Sequence, residues 1–157
     1  ALVLTRQKLP VLEQGAHEGK SGKSGLSYGA YVIADALEAQ AILIGSGSEV
    51  HIALEAMTLL AEDGIATRVI SMPSWELFDA MPSVYKDKVL IPSVRARVAI
   101  EAGVSIGWER YIGRGGAVIG LDHFGASAPY EKIYTEFGLT AEKMAATTRR
   151  LLQTAGG

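Results

Sequence analysis

Ala41-Ile42-Leu43-Ile44-Gly45-Ser46-Gly47-Ser48-Glu49-Val50 is the stretch on which the fold turns. Four consecutive apolar residues read as a strand buried on both faces, and the Gly/Ser run after them reads as a tight turn. Beyond it Val50, Ala53, Leu54, Met57 and Leu60 recur at helical spacing, Glu55, Thr58 and Glu62 take the other side, and Gly64 stops the element. A strand, a turn and a helix in that order form the first half of a crossover, and the pattern continues downstream. Residues 66–72 form the next apolar run, which Pro73 breaks, and Ser74 caps a short helix through Phe78. Residues 96–101 and 117–121 supply two more strands.

Two helices close the chain. Tyr130, Ile133, Tyr134 and Phe137 share a face of the first, with Ser127 expected as its cap, Pro129 in its first turn and Gly138 as its stop. Thr140 is expected to cap the second, with Glu142 near its start and Arg149 and Arg150 near its end complementing the helix dipole. Upstream, Tyr31-Val32-Ile33-Ala34 is expected as an antiparallel edge strand. The sum is an α/β fold, a three-layer α/β/α sandwich around a mostly parallel sheet.

A chain of 157 residues with 48% hydrophobic content can bury one core unaided. It has no Cys, so a disulfide framework and a thiolate zinc site are excluded, and the cytoplasm is the expected compartment. The formal charge of −2, with acids and bases interspersed, offers no basic stripe for nucleic acid and no polybasic membrane patch. No apolar run reaches membrane-spanning length. Residues 1–10 open directly on an apolar run and are expected to end a preceding domain. Residues 11–27, rich in Gly, Ser and Lys, read as a linker, and 28–157 as the main domain.

Several motifs invite functional readings. Gly19-Lys20-Ser21 and Gly22-Lys23-Ser24 fail the P-loop spacing and have neither strand before nor helix after them. The Gly45 turn sits where a dinucleotide fingerprint would, yet Val50 occupies the third glycine position. Two readings remain: a structural turn with Ser46 or Ser48 as cap, or a weak anion site at Ser46, Gly47, Ser48 and Glu49 built on free N–H groups at a helix start. Glu101 ends an apolar strand and is expected to accept hydrogen bonds from that turn. His17, His51 and His123 are too scattered to make a metal motif. His51 is expected to be solvated, and His123, after a strand, to face a crevice. Arg95 and Arg97 are candidates for surface or interdomain ion pairs. No catalytic nucleophile and no metal ligand set stands out.

Four spaced motifs then occur in fixed order: Ser71-Met72-Pro73-Ser74-Trp75-Glu76-Leu77-Phe78-Asp79, Ala96-Arg97-Val98-Ala99-Ile100-Glu101-Ala102-Gly103, Gly107-Trp108-Glu109-Arg110-Tyr111-Ile112-Gly113 and Phe124-Gly125-Ala126-Ser127-Ala128-Pro129-Tyr130. Together they resemble the C-terminal domain of transketolases, and the likeness runs over essentially the whole chain. The resemblance implies transfer of a two-carbon ketol unit between sugar phosphates, with thiamine diphosphate and a divalent cation (Mg or Ca) held by two preceding domains of a homodimer. It implies that this segment binds neither cofactor, is inactive alone and supports the dimer. No Gly-Asp-Gly followed by Asn, the family's metal-diphosphate signature, is present. One residue is an exception. Arg6, in Leu4-Thr5-Arg6-Gln7, matches a substrate-phosphate arginine of the family, a task that suits a planar and permanently charged guanidinium. Two other expectations stay open: the C-terminal domain of another thiamine-dependent enzyme, such as deoxyxylulose phosphate synthase or a ketoacid dehydrogenase β subunit, and a small-molecule or anion-binding regulatory module.

Overall fold

The computed structural model of the protein describes residues 7–12 and 25–155. Arg6 and most of the Gly/Ser/Lys-rich stretch, including both Gly-Lys-Ser repeats, lie outside the described residues.

Strand β2 (Ala41–Gly45) is buried at every position, as four uninterrupted apolar residues require. It lies at the centre of a five-stranded sheet with β1 (Tyr31–Asp35), β3 (Thr67–Ser71), β4 (Ala96–Ile100) and β5 (Ala117–Ile119) in the order β1-β3-β2-β4-β5. β2, β3, β4 and β5 run parallel, while β1 pairs antiparallel with β3 at the edge and carries a register shift between Val32 and Ala34.

Side chains alternate across this sheet with the period of two that a pleated strand imposes. Leu43, Val69, Val98 and Ile100 point into one core, shared with α1 (Val50–Glu62) and α6 (Ala141–Ala155). Ile42, Ile44, Ile70 and Ala99 point into a second core, closed by α2 (Trp75–Asp79), α3 (Ser83–Leu90) and α4 (Glu109–Ile112). Three layers result, with α5 (Tyr130–Phe137) at the edge of the first core through Tyr134. The second core is aromatic at its centre. Trp108 is only 1% exposed and stands edge-on to Trp75 at 5.1 Å, with Tyr111 and Phe78 beside them.

The local signals explain most element ends. Ser74 accepts a hydrogen bond from the Leu77 amide and caps α2, and Thr140 does the same for Lys143 at the start of α6. Gly138 ends α5 in the left-handed conformation at φ 73°. Other expectations need correction. Ser127 does not cap α5: the helix begins at Tyr130 with Pro129 at the cap position, so the Ser127 hydroxyl is too far upstream. Arg149 and Arg150 do not meet the end of α6, which runs on to Ala155, and Arg149 pairs with Asp63 instead. The buried stripe of α1 is Val50, Ile52, Ala53, Ala56 and Leu60, with Leu54 and Met57 at its margin. Helices α3 and α4 were not anticipated. Of α3 only Val89 is buried, which leaves no apolar periodicity to read.

Among the described residues no helix is long and apolar enough to cross a membrane.

Candidate functional site

The strand order fixes where a site would form. The chain leaves β2 toward β3 on one side and leaves β4 toward β5 on the other, so a crevice opens beyond the carboxyl ends of β2 and β4. In open parallel sheets this is the usual place for a ligand. Here it holds the Gly45–Glu49 turn from one strand and Glu101 from the other.

The turn is built on two glycines with different duties. A side chain at Gly45 would put its Cβ 3.0 Å from the Val50 backbone, so the glycine permits α1 to start close against the strand. Gly47 adopts φ +53°, a left-handed conformation that suits a residue without Cβ. One 3-10 turn, Gly47–Glu49, leads into α1.

Ser46 does not cap this turn with its side chain. Its hydroxyl donates to Glu101 Oε2 at 2.6 Å and ties the β2 turn to the end of β4. Glu101 therefore braces the turn through the Ser46 hydroxyl. Glu49, only 3% exposed, points inward, and its Oε1 accepts from the Ser48 hydroxyl and from the Tyr134 hydroxyl, each at 2.6 Å. Gln7 Nε2 in turn donates to the Tyr134 oxygen at 3.0 Å. One chain of polar contacts thus runs from Gln7, through α5, to the start of α1.

The electrostatics follow from burial and from two acids sharing a crevice. Burial pushes the Glu101 carboxyl above its ordinary range, the Glu49 charge adds to this, and the Ser46 hydrogen bond opposes it. The Tyr134 phenol is likewise raised, first by burial and then by donating to Glu49. The crevice carries two carboxyl groups and no basic side chain among these contacts, so what it can do chemically is hold hydroxyl groups and protons.

Further along the same edge, Asp122 accepts from both the amide and the hydroxyl of Ser105, at 2.9 Å to Oδ1 in each case. These bonds hold its carboxyl below the usual range. They pin the loop after β4 to the loop after β5, and Val104, Ile106, Leu121, His123 and Phe124 surround a cavity of 550 Å³ beside them.

The histidines are dispersed. His51 is half-buried rather than solvated, its Nδ1 at 2.5 Å from the Ser48 carbonyl, which makes Nδ1 the protonated nitrogen. His123 is exposed, with its ring edge-on to Phe137 at 4.5 Å. Among the described residues no group of three His, Asp or Glu side chains is arranged to hold a metal ion. Among the described residues Arg97 forms no ion pair. Its guanidinium donates to the Val94, Tyr111 and Ile91 carbonyls.

Sequence reasoning located the turn and Glu101 but missed Tyr134 and Gln7. Tyr134 reads as one more apolar position of α5, and its partners lie 85 and 127 residues away in sequence, where local pattern carries no signal.

Comparison with known proteins places this geometry. The family model of the transketolase-like TK C-terminal domain matches residues 29–140. The transketolase of Geobacillus stearothermophilus is 47% identical over 154 residues, covering 97% of this chain and 23% of that protein. The chloroplastic transketolase of Craterostigma plantagineum is also 47% identical over 154 residues, covering 96% of this chain and 28% of that protein. Among solved structures, the transketolase from Leishmania mexicana superposes with a TM-score of 0.79 at 41% identity, over 87% of this chain and 20% of that one. A Pichia stipitis transketolase in complex with sedoheptulose 7-phosphate gives a TM-score of 0.86 at 31% identity, over 97% of this chain and 21% of that one. The chain thus spans about a quarter of the length of the curated relatives it matches. The sheet order with its antiparallel edge, the matched residues and this coverage agree: the chain belongs to the transketolase family and corresponds to its C-terminal domain.

Proposed function

We propose that this chain serves as the noncatalytic C-terminal domain of a cytoplasmic transketolase, an enzyme moving a two-carbon ketol unit between sugar phosphates, and that it supports the homodimer. The observation that carries this reading is the match at 47% identity over 97% of the chain to a transketolase of which it spans 23%. Sugar-phosphate substrates are in keeping with the sedoheptulose 7-phosphate bound by the Pichia stipitis enzyme.

The crevice does not fit the divalent cation that accompanies thiamine diphosphate. The two crevice acids are spent on internal hydroxyls, Glu49 on Ser48 and Tyr134 and Glu101 on Ser46, and among the described residues no trio of acids or histidines is arranged to chelate. In this reading both cofactors belong to the remaining part of the enzyme, and this segment alone is expected to be inactive. Titration of the chain with thiamine diphosphate and magnesium should give no micromolar binding, and the chain should show no ketol transfer. Either signal would overturn the assignment.

Arg6 is the one substrate contact in this reading, holding the substrate phosphate. Its neighbour Gln7 donates to the Tyr134 hydroxyl and is tied to α5. Arg6→Ala in the full-length enzyme should lower kcat/KM for phosphorylated acceptors about ten- to hundredfold, the equivalent of a charge-assisted hydrogen bond of about 1.5–3 kcal/mol. Equal losses with ribose 5-phosphate and glycolaldehyde would remove Arg6 from the phosphate site.

The turn at Ser46, Gly47, Ser48 and Glu49 belongs to structure in this reading and holds an anion weakly at most, because Glu49 and Glu101 both face it. Phosphate should shift its amide signals only at millimolar concentration, and micromolar saturation would favour the regulatory-module reading.

A further inference from the structure

At the opposite end of the sheet, where β4 and β5 begin, Pro92, Arg95, Arg97, Ile112, Gly113, Arg114 and Gly115 line a cavity of 310 Å³. Three of the seven are arginines and none is acidic. Arg95 and Arg114 are exposed, and among the described residues neither side chain meets a carboxylate or a hydrogen-bond acceptor. This sets them apart from Arg68, Arg110 and Arg149, which pair with Asp35, Asp79 and Asp63.

Arg97 differs again. It is half-buried at the second position of β4, and its Nε and both terminal nitrogens donate to the carbonyls of Val94, Tyr111 and Ile91 at 2.9, 2.8 and 3.1 Å. Three neutral acceptors fix the guanidinium plane but leave its charge without a counter-ion among the described residues. A guanidinium has five N–H groups, so two remain for another acceptor. A withdrawn cation is stabilised when an anion completes it.

The floor of the cavity is open to a ligand. Gly113 has φ +68° and nothing within 4 Å of a Cβ placed there, and a Cβ at Gly115 would meet only the Arg95 carbonyl, at 3.7 Å. A compact anion can approach this backbone without displacing a side chain.

We propose that this cavity is a binding site for a phosphoanhydride anion, such as the diphosphate group of a nucleotide or free pyrophosphate, held by Arg95, Arg97 and Arg114. Three guanidiniums match the charge of a diphosphate near neutral pH, and their planar forks match its paired oxygens. Arg97 is the fixed anchor, and Arg95 and Arg114 are the mobile arms that close on the ligand. The site is separate from the Gly45 turn and does not depend on the function proposed above.

Calorimetric titration of the protein with sodium pyrophosphate at low salt should give one site with Kd of about 0.1 mM or tighter. Orthophosphate should bind at least about tenfold more weakly, and raising the salt toward about 0.5 M should weaken binding by a similar factor. Arg95→Ala with Arg114→Ala should weaken pyrophosphate binding about 30-fold or more, in line with the loss of two charge-assisted contacts. Both residues are exposed, so the double variant keeps the fold, and circular dichroism verifies this. Arg149→Ala, which removes a guanidinium elsewhere, should leave the affinity unchanged.

A parallel titration with ADP separates the sources. Affinity equal to that of pyrophosphate identifies the phosphoanhydride alone as the recognised group, and clearly tighter binding identifies a nucleotide. Absence of saturation by about 10 mM pyrophosphate, or a Kd unaffected by the double variant, overturns the proposal.

Discussion

Replacing Glu101 by Gln probes the crevice directly, because in this carboxyl group burial, a like charge and one hydrogen bond compete. Burial and the Glu49 charge raise its proton affinity, and the 2.6 Å bond from Ser46 lowers it, with a net rise above the ordinary 4.5. The native state therefore holds the Glu101 proton more tightly than the unfolded chain does. Its contribution to stability is fully present below about pH 4.5 and is lost as the pH rises through the folded-state value. Solvent screening at this partly buried carboxyl keeps the contribution below the full value that complete burial would give.

At pH 7.5 the variant exchanges a charge-assisted bond of about 1.5–3 kcal/mol for a neutral one of about 0.5–1.5 kcal/mol, since the amide oxygen still accepts from Ser46. It also removes the desolvation of a charge and the repulsion from Glu49, which together outweigh that bond in the wild-type protein. Glu101→Gln should therefore be as stable as wild type at pH 7.5, or up to about 1 kcal/mol more stable. Its stability should also fall less between pH 4.5 and 7.5. With a urea dependence of about 1–3 kcal/mol per molar, the midpoint should rise by up to roughly 0.3–1 M at pH 7.5 and be unchanged near pH 4.5. Ser46→Ala is the counterpart, costing about 1.5–3 kcal/mol at pH 7.5 and less in acid. A loss of more than about 2 kcal/mol for Glu101→Gln at pH 7.5, with the slope of wild type, would show that ionised Glu101 stabilises the fold and would refute this account.

Three further outcomes are expected. Tyr134→Phe withdraws a donor from the buried Glu49 and should cost about 1.5–3 kcal/mol, lowering Tm by roughly 3–12 °C; a calorimetric change below about 1 °C would contradict the network. Gly29→Ala forces a Cβ to within 2.3 Å of the Phe78 amide nitrogen and the Ser74 carbonyl at φ +78°, so a loss of about 2–5 kcal/mol should appear in urea titration, and a wild-type midpoint would count against the packing described. The Tyr111 phenol, pushed up to about 12 by burial and by the Asp79 charge, should ionise well above the ordinary 10 in an alkaline pH jump followed near 295 nm, and Asp79→Asn should bring it down; ionisation near 10 would place Tyr111 in solvent.

What the chain discloses about itself depends on how far the physics reaches along the sequence. Burial against a sheet or helix repeats every two or 3.6 residues, so β2, α1 and α5 are legible from Ile42, Ala53 or Tyr134 and their near neighbours. Caps and stops are equally local, and Ser74, Thr140 and Gly138 act as read. α3 escapes because a helix lying on the surface of a layer through Val89 needs no apolar stripe. The crevice is legible only in part, for another reason. Its glycines and serines announce a turn, and Glu101 at a strand end is expected against it, but whether that turn offers its surroundings to a ligand depends also on a side chain brought from α5, and Tyr134 looks locally like a core tyrosine. Pairing across 85 residues, as between Glu49 and Tyr134, is a property of the folded topology alone. The same holds for Arg95, Arg97 and Arg114. They read as scattered surface charges until the parallel register sets the starts of β4 and β5 side by side, and only then does a cavity lined by three cations exist.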